Sequence, residues 1–217
     1  MESPNLCGYE ATRKAPKEQI MSVHLAKGTR DHLPEKMNQR LHVIAILREV
    51  FERYGFEPLE TPAFERIETL MGKYGDEGEQ LIFKILKRGE GGKRGEVDQA
   101  LRYDLTVPLA RVIAMNPALR MPFKRYQIQN VFRNEKAGNG RYREFLQADF
   151  DIVGNVNPAQ ANVELCNLIS STLLDCGLKN NQFTINISNR KIVQGLINDL
   201  KIPEEKQIKV IRAIDKL

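Results

Sequence analysis

Residues 132–154 read FRNEKAGNGRYREFLQADFDIVG, and this stretch, with the residues just before it, decides the fold. Two segments of alternating polarity flank a loop containing Gly, Asn and Lys, which is how a β-hairpin reads. In the first arm Tyr126, Ile128 and Phe132 fall on one face, with Gln127, Gln129, Arg133 and Glu135 on the other. In the second arm Leu146, Ala148, Phe150 and Ile152 share a face, opposite Arg143, Gln147, Asp149 and Asp151. Side chains alternate along a strand, so each arm carries a polar row above an apolar one. One face is expected to pack a core, and the other gathers arginines, amides and carboxylates into a floor. The expected fold is α/β of the α+β kind, an antiparallel sheet with helices against one face.

Such a floor suits a nucleoside triphosphate and a small zwitterion. Arginine offers a fixed fork of donors to phosphate or carboxylate and stays charged at any working pH. Gly138 and Gly140 in the loop let backbone approach a ligand closely. Gln147 and Asp151 share one face of the second arm and can hold a polar ligand together. A solvated hairpin laced with cross-strand ion pairs satisfies the alternation equally well. The order of the residues separates the two readings.

Phe132-Arg133-Asn134-Glu135, a short loop, then Arg141-Tyr142-Arg143-Glu144-Phe145 resembles motif 2 of the class II aminoacyl-tRNA synthetases. That motif is Phe-Arg-x-Glu, a loop, then Arg or His followed by x-x-x-Phe. The longer string GRYREFLQ over 140–147, followed by Asp151, resembles the histidyl branch. Lys27-Gly28-Thr29-Arg30-Asp31 with Leu33-Pro34 is similar to the opening of histidyl-tRNA synthetase catalytic domains. The segment LRYDLTVP over 101–108 is similar to the histidine-binding segment of the eukaryote-like subgroup.

The resemblance implies a ligase that activates histidine with ATP and transfers it to tRNA-His. It implies that Arg133 is catalytic, contacting both the α-phosphate of ATP and the histidine carboxylate. Glu135 would accept from the adenine amino group, Arg141 would meet the γ-phosphate, and Phe145 would stack on adenine. Asp104 and Thr106 would hold the substrate ammonium with Gln147 beside it, and Asp151 would accept from the imidazole. Asp104 and Asp151 stand where other branches carry glutamate, which keeps the charge and shortens the reach. Mg2+ is expected with ATP, with no protein ligand assigned to it. The acceptor end of tRNA is expected near the loop 136–142. Taken singly, Asp104 and Thr106 can equally cap or close a turn, Phe145 can pack, and Arg141 and Arg143 can be solvated loop charges.

The chain has 217 residues, with 41% hydrophobic and 28% charged residues, ordinary for one good-sized globular domain. No run approaches the ~20 apolar residues of a membrane helix, and no apolar signal segment opens the chain. Residues 1–26 read as a flexible extension, with Met21 a possible alternative start. Cys7, Cys166 and Cys176 are scattered without a CxxC, which points away from zinc and a disulfide framework and toward a reducing cytoplasm. The net charge of +5 is compatible with a nucleic-acid partner without establishing one.

Beyond the hairpin, Pro34 and Glu35 open a helix whose stripe runs Met37, Leu41, Ile44, Leu47, Phe51 and Tyr54, stopped by Gly55. A strand over 56–61 follows and ends at Pro62. This helix–strand pair, about 36–62, resembles motif 1, which implies a homodimer. A β-rich run over 81–86 leads into a glycine-rich mobile turn over 88–95. That turn lacks the G-x-x-x-x-G-K-[ST] pattern and reads as a solvated hairpin tip. Motif 2 spans about 123–154. Asn157 and Pro158 open a further helix that Gly177 ends, 183–187 reads as a strand, and helices are expected over 191–200 and 203–217. The resemblance thus divides the chain into a partial catalytic domain over 27–190 and a helical segment over 191–217 that begins an insertion region. The family's second histidine signature, its motif 3 and its anticodon-binding domain have no counterpart here, so a truncated piece without activity of its own is expected. Two other readings stay open. One is the synthetase-like regulatory subunit of ATP phosphoribosyltransferase, which binds histidine without aminoacylation. The other is a synthetase-like domain that senses uncharged tRNA. Neither is expected to keep Arg133, Glu135, Arg141 and Phe145 together.

Overall fold

The computed structural model describes residues 23–71 and 79–214. Residues 1–22, including Met21 and Cys7, lie outside the described residues, as do 215–217 at the end of the last expected helix. Helix α1 (Pro34–Arg53) leads to the short strand β1 (Glu57–Pro58), and then to β2 (Phe64–Arg66) and the one-turn α2 (Ile67–Leu70). Next come β3 (Lys84–Leu86), α3 (Gly89–Lys93), β4 (Val97–Leu101) and α4 (Thr106–Met115). The hairpin β5 (Phe123–Phe132) and β6 (Glu144–Val153) follows, then α5 (Pro158–Asp175), α6 (Arg190–Asp199) and α7 (Glu204–Ile214).

The hairpin forms as the alternation requires, antiparallel through ten paired positions from Phe123↔Val153 to Phe132↔Glu144. Its apolar row is the core. Tyr126, Ile128, Phe150 and Ile152 pack against Val50, Phe51, Ile46 and Leu47 of α1 and Leu165 and Leu168 of α5. Phe51 anchors this contact, its ring 5.5 Å from that of Tyr126 and 5.2 Å from that of Phe150. Both covering helices lie on the apolar face, so the opposite face is free to be polar.

Helix ends follow the sequence signals. Gly55 takes φ +77°, and the Phe56 amide donates back to the Phe51 carbonyl at 3.0 Å. That closure drops Phe56 into the core beside α1. The Asn157 side chain accepts from the amides of Ala159 and Gln160 to cap α5. Gly177, at φ +92°, ends it.

Four expectations need correction. The sheet is not wholly antiparallel, because β1 runs parallel to β5 through Glu57↔Arg125 and Pro58↔Tyr126, beside a separate antiparallel sheet of order β2-β4-β3. The strand over 56–61 is cut to two residues, because past Leu59 another group takes over the carbonyls. The Arg102 guanidinium donates to Thr61 O at 2.7 Å and Pro62 O at 3.2 Å. The tip over 88–95 is a hairpin connection between β3 and β4, but its centre winds into α3. Gly92 permits this, since a Cβ there would lie 1.9 Å from the Lys87 carbonyl oxygen. Finally, 183–187 forms no strand. Phe183 and Ile185 are half-buried, but no neighbouring strand among the described residues offers a ladder, and propensity alone does not make one.

The two sheets meet at the end of β5, where the Phe132 amide donates to Arg102 O at 3.0 Å and the Asn134 amide to Leu81 O at 2.8 Å. This junction carries the β4–α4 turn up to the edge of the polar floor. No helix among the described residues is long and apolar enough to cross a membrane.

Candidate active site on the polar face of the hairpin

The register stacks the floor in matched rows. Arg125 faces Asp151, Gln127 faces Asp149, Gln129 faces Gln147, and Val131 faces Phe145. Arg133 continues the row past the strand end, its amide donating to Arg143 O at 2.8 Å. The sequence alternation therefore places Arg133 and Gln147 on one face, and they touch. Arg133 Nη2 donates to Gln147 Oε1 at 3.2 Å, and Gln147 Nε2 donates to both Asp149 oxygens at 2.9 Å.

Arg133 is held from several sides. Its Nε donates to Tyr103 O at 3.1 Å, and its guanidinium carbon lies 4.5 Å from the Tyr103 ring centre and 5.1 Å from that of Phe145. A cation fixed between two rings and a carbonyl is oriented before any ligand arrives. Beside it opens a cavity of about 710 Å³ lined by Arg133, Glu135, Arg141 and Phe145, together with Arg30 and Tyr142. That volume lies within the range of nucleotide and cofactor sites. All four residues assigned by resemblance to ATP thus reach one space.

Of the residues assigned to histidine, Asp151 lies further along the floor, and Asp104 acts on the same charge cluster from the β4–α4 turn. Asp151 pairs with Arg125, Nη2 to Oδ2 at 2.5 Å, and the Arg125 side chain is wholly buried. Burial pushes the Asp151 carboxyl above its usual range, the Arg125 charge draws it back, and Asp149 and Asp104 push it up again. Burial likewise lowers Arg125, against the pull of Asp151, Asp149 and Asp104. Asp104 also performs a local task, its Oδ1 accepting from the Val107 amide at 3.0 Å at the start of α4. Thr106 is the exposed first residue of that helix.

Part of the floor is covered by its neighbours rather than open to solvent. Gln127, wholly buried, donates to Thr61 Oγ1 at 2.8 Å. Arg102 donates to Asn130 O at 2.7 Å and to Gln129 Oε1 at 2.9 Å. Sequence reasoning assigned no role to Arg125, although its strand parity matches Gln127 and Gln129. It also gave none to Arg30, which sits 4.0 Å from the Tyr142 ring centre.

The segment that carries Arg30 is locked to the hairpin by Gly28. Its carbonyl accepts from the Arg143 amide at 2.7 Å. At φ +83°, a Cβ on residue 28 would stand 2.7 Å from Arg143 Cγ. Gly28→Ala is expected to lose ~1–2 kcal/mol from the left-handed backbone alone. It should also displace Arg143 and hence Arg30. Chemical denaturation reads the first effect and nucleotide affinity the second; an unchanged midpoint would disprove the locking role.

Comparison with known proteins identifies the family. The family model for histidyl-tRNA synthetase matches residues 28–217. The histidine–tRNA ligase of Pelagibacter ubique is 53% identical over 202 residues, covering 93% of this chain and 43% of that protein. The histidine–tRNA ligase of Gloeobacter violaceus is 48% identical over 208 residues, covering 88% of this chain and 44% of the relative. Among solved structures, histidyl-tRNA synthetase from Nostoc sp. PCC 7120 superposes with a TM-score of 0.74 at 34% identity, over 89% of this chain and 43% of its own. A Bacillus halodurans protein described as an ATP phosphoribosyltransferase regulatory subunit/histidyl-tRNA synthetase superposes with a TM-score of 0.72 at 24% identity, a likeness of fold alone. The chain spans about 43% of the length of the first of these curated relatives.

Proposed function

Because this chain belongs to the histidyl-tRNA synthetase family, we propose that it is the part of a histidine–tRNA ligase that binds ATP and histidine and joins them. What carries this reading is the convergence of Arg133, Glu135, Arg141 and Phe145 on one cavity, with Gln147 linking Arg133 to the carboxylate end of the floor. A histidine-sensing regulatory subunit has no use for the first set.

In the proposed reaction a histidine carboxylate oxygen bonds to the α-phosphorus of ATP. The bond from that phosphorus to the bridging oxygen breaks, and its electron pair leaves with pyrophosphate. Two anions must be held in contact, so positioning and charge neutralisation are the main contributions. Arg133, pre-aimed between Tyr103 and Phe145, spans the α-phosphate and the carboxylate. Arg141 meets the γ-phosphate, Glu135 accepts from the adenine amino group, and Phe145 supplies the stacking face. Asp104 and Thr106 receive the ammonium beside Gln147, and Asp151 accepts from the imidazole N–H. Mg2+ would arrive with the triphosphate and offset its charge. The cavity named above is lined by three arginines and one carboxylate, Glu135, so the ion's ligands there would be chiefly phosphate oxygens.

The loop 136–142 borders the cavity, which suits delivery of the adenylate to a tRNA acceptor end; the net charge of +5 is compatible with that partner. Dimerisation through α1 is part of the same proposal. Only the second half of its stripe is covered, while Met37 and Leu41 are 37% and 50% exposed. The free thiols of Cys166 and Cys176 suit a cytoplasmic setting.

Histidine-dependent exchange of pyrophosphate into ATP, measured on the protein at the full length of its relatives, tests the reading. Exchange should require histidine and fail with other amino acids. Histidine binding without exchange would overturn it in favour of a sensor.

A further inference from the structure

We propose that Arg125 is a positioning residue for the amino-acid half of the site, its buried guanidinium pinning the Asp151 carboxylate in the orientation that receives the substrate side chain. This rests on the reading of histidine as substrate. Arg125 lies on β5 directly across from Asp151 and faces the floor, yet its side chain has no solvent exposure. Burying a guanidinium is costly, and an apolar residue of similar volume would often pack there at least as stably. Its presence therefore calls for a reason beyond packing.

The surroundings supply one. Arg125 Nη2 donates to Leu105 O at 3.2 Å, and Nη1 donates to Gln127 Oε1 at 3.5 Å. Among the described residues its buried Nε has no hydrogen-bond partner. Those contacts aim the fork and leave much of its charge for the neighbouring acids. Asp151 lies closest, while Asp149 on the same strand and Asp104 on the β4–α4 turn also act on it. Asp151 Oδ2 is buried against the guanidinium, with ion-pair distance but without hydrogen-bond alignment. Since that side chain is still 30% exposed, its accessible part is not Oδ2, and the carboxylate is gripped from below and open above.

The consequence is chemical. Burial and two nearby carboxylates favour a protonated Asp151, and the Arg125 charge opposes them. A protonated carboxyl can place a donor where an imidazole N–H needs an acceptor. Arg125 thus favours the ionised form of Asp151 and holds it still, without touching substrate itself.

The experiment uses Arg125→Met, which keeps the volume, and Arg125→Lys, which keeps the charge, in the protein at the full length of its relatives. Pyrophosphate exchange is measured from about pH 7 to about pH 9, where free imidazole is largely neutral. Arg125→Met should raise the KM for histidine ~10-fold at the low end, the size of one charge-assisted hydrogen bond, with the ATP KM nearly unchanged. Raising the pH favours the ionised form of Asp151, so the deficit should not grow across this range. Arg125→Lys should recover most of the loss. In an Asp151→Asn background, Arg125→Met should add little, because the residue acts through Asp151. A comparable rise in both KM values, a deficit that grows with pH, or full additivity with Asp151→Asn would overturn the proposal. If Arg125→Met does not fold, Arg125→Gln, which is polar but uncharged, decides: a raised histidine KM with the ATP KM nearly unchanged supports the proposal and a wild-type value overturns it. A wild-type protein without histidine dependence overturns the underlying reading and this inference together. A histidine-dependent wild type indifferent to Arg125→Met overturns the inference alone.

Discussion

Arg133→Ala is expected to lower the rate of adenylate formation by ~10²–10³, the cost of losing one preorganised group aimed at developing charge. The loss should fall on kcat more than on either KM. The reason lies in how Arg133 is held. Tyr103 O takes its Nε, Gln147 Oε1 takes Nη2, and the rings of Tyr103 and Phe145 flank the guanidinium. Among the described residues its Nη1 makes no hydrogen bond, leaving a donor for ligand. In the proposed reading Arg141 and Phe145 also hold ATP in the ground state, so its binding should largely survive. Arg133→Lys should recover little, because a single ammonium cannot bond Tyr103 O and Gln147 while also spanning two anions. Single-turnover formation of histidyl-adenylate, with histidine and ATP varied separately, is the measurement. A rate within about threefold of wild type, well below the loss expected of such a group, would remove Arg133 from the chemical step.

The hairpin was legible because strand alternation is a local signal with a long run behind it. Its core row and its floor both follow from parity, and so does the meeting of Arg133 with Gln147. What parity could not disclose was depth. Arg125 and Gln127 share the parity of Gln129 and Arg133, but only the fold shows that Arg125 reaches the β4–α4 turn at Leu105, that Gln127 reaches Thr61, and that both are sealed from water. The shortening of the strand after Phe56 was hidden for a similar reason, since it depends on Arg102 capturing carbonyls from a segment distant in sequence. The helical turn at Gly89–Lys93 rests on the absence of a Cβ at Gly92, a fact of one contact. The segment 183–187 has strand composition without a partner, and pairing is a property of two strands. Helix ends did better because their caps are set by adjacent residues, as at Asn157 and Gly55.

Asp151→Ala should weaken histidine activation while leaving the ATP KM nearly unchanged. Of the acids on this floor, Asp151 stands in the row next to Arg125 and is still 30% exposed. A buried N–H left without its acceptor loses ~1–3 kcal/mol, or roughly ten- to a hundred-fold in the KM for histidine. Alanine has a second effect that must be separated from the first. It strands the Arg125 charge in the interior, and breaking a buried pair from one side costs ~3–5 kcal/mol of stability. Asp151→Asn is therefore the sharper variant: it keeps the shape and a carbonyl acceptor but removes the charge. It should raise the histidine KM less than alanine does and melt closer to wild type. Steady-state kinetics with each substrate varied, alongside thermal melts, distinguish the two effects. Should Asp151→Asn change the ATP dependence as much as the histidine dependence, the residue does not face the imidazole.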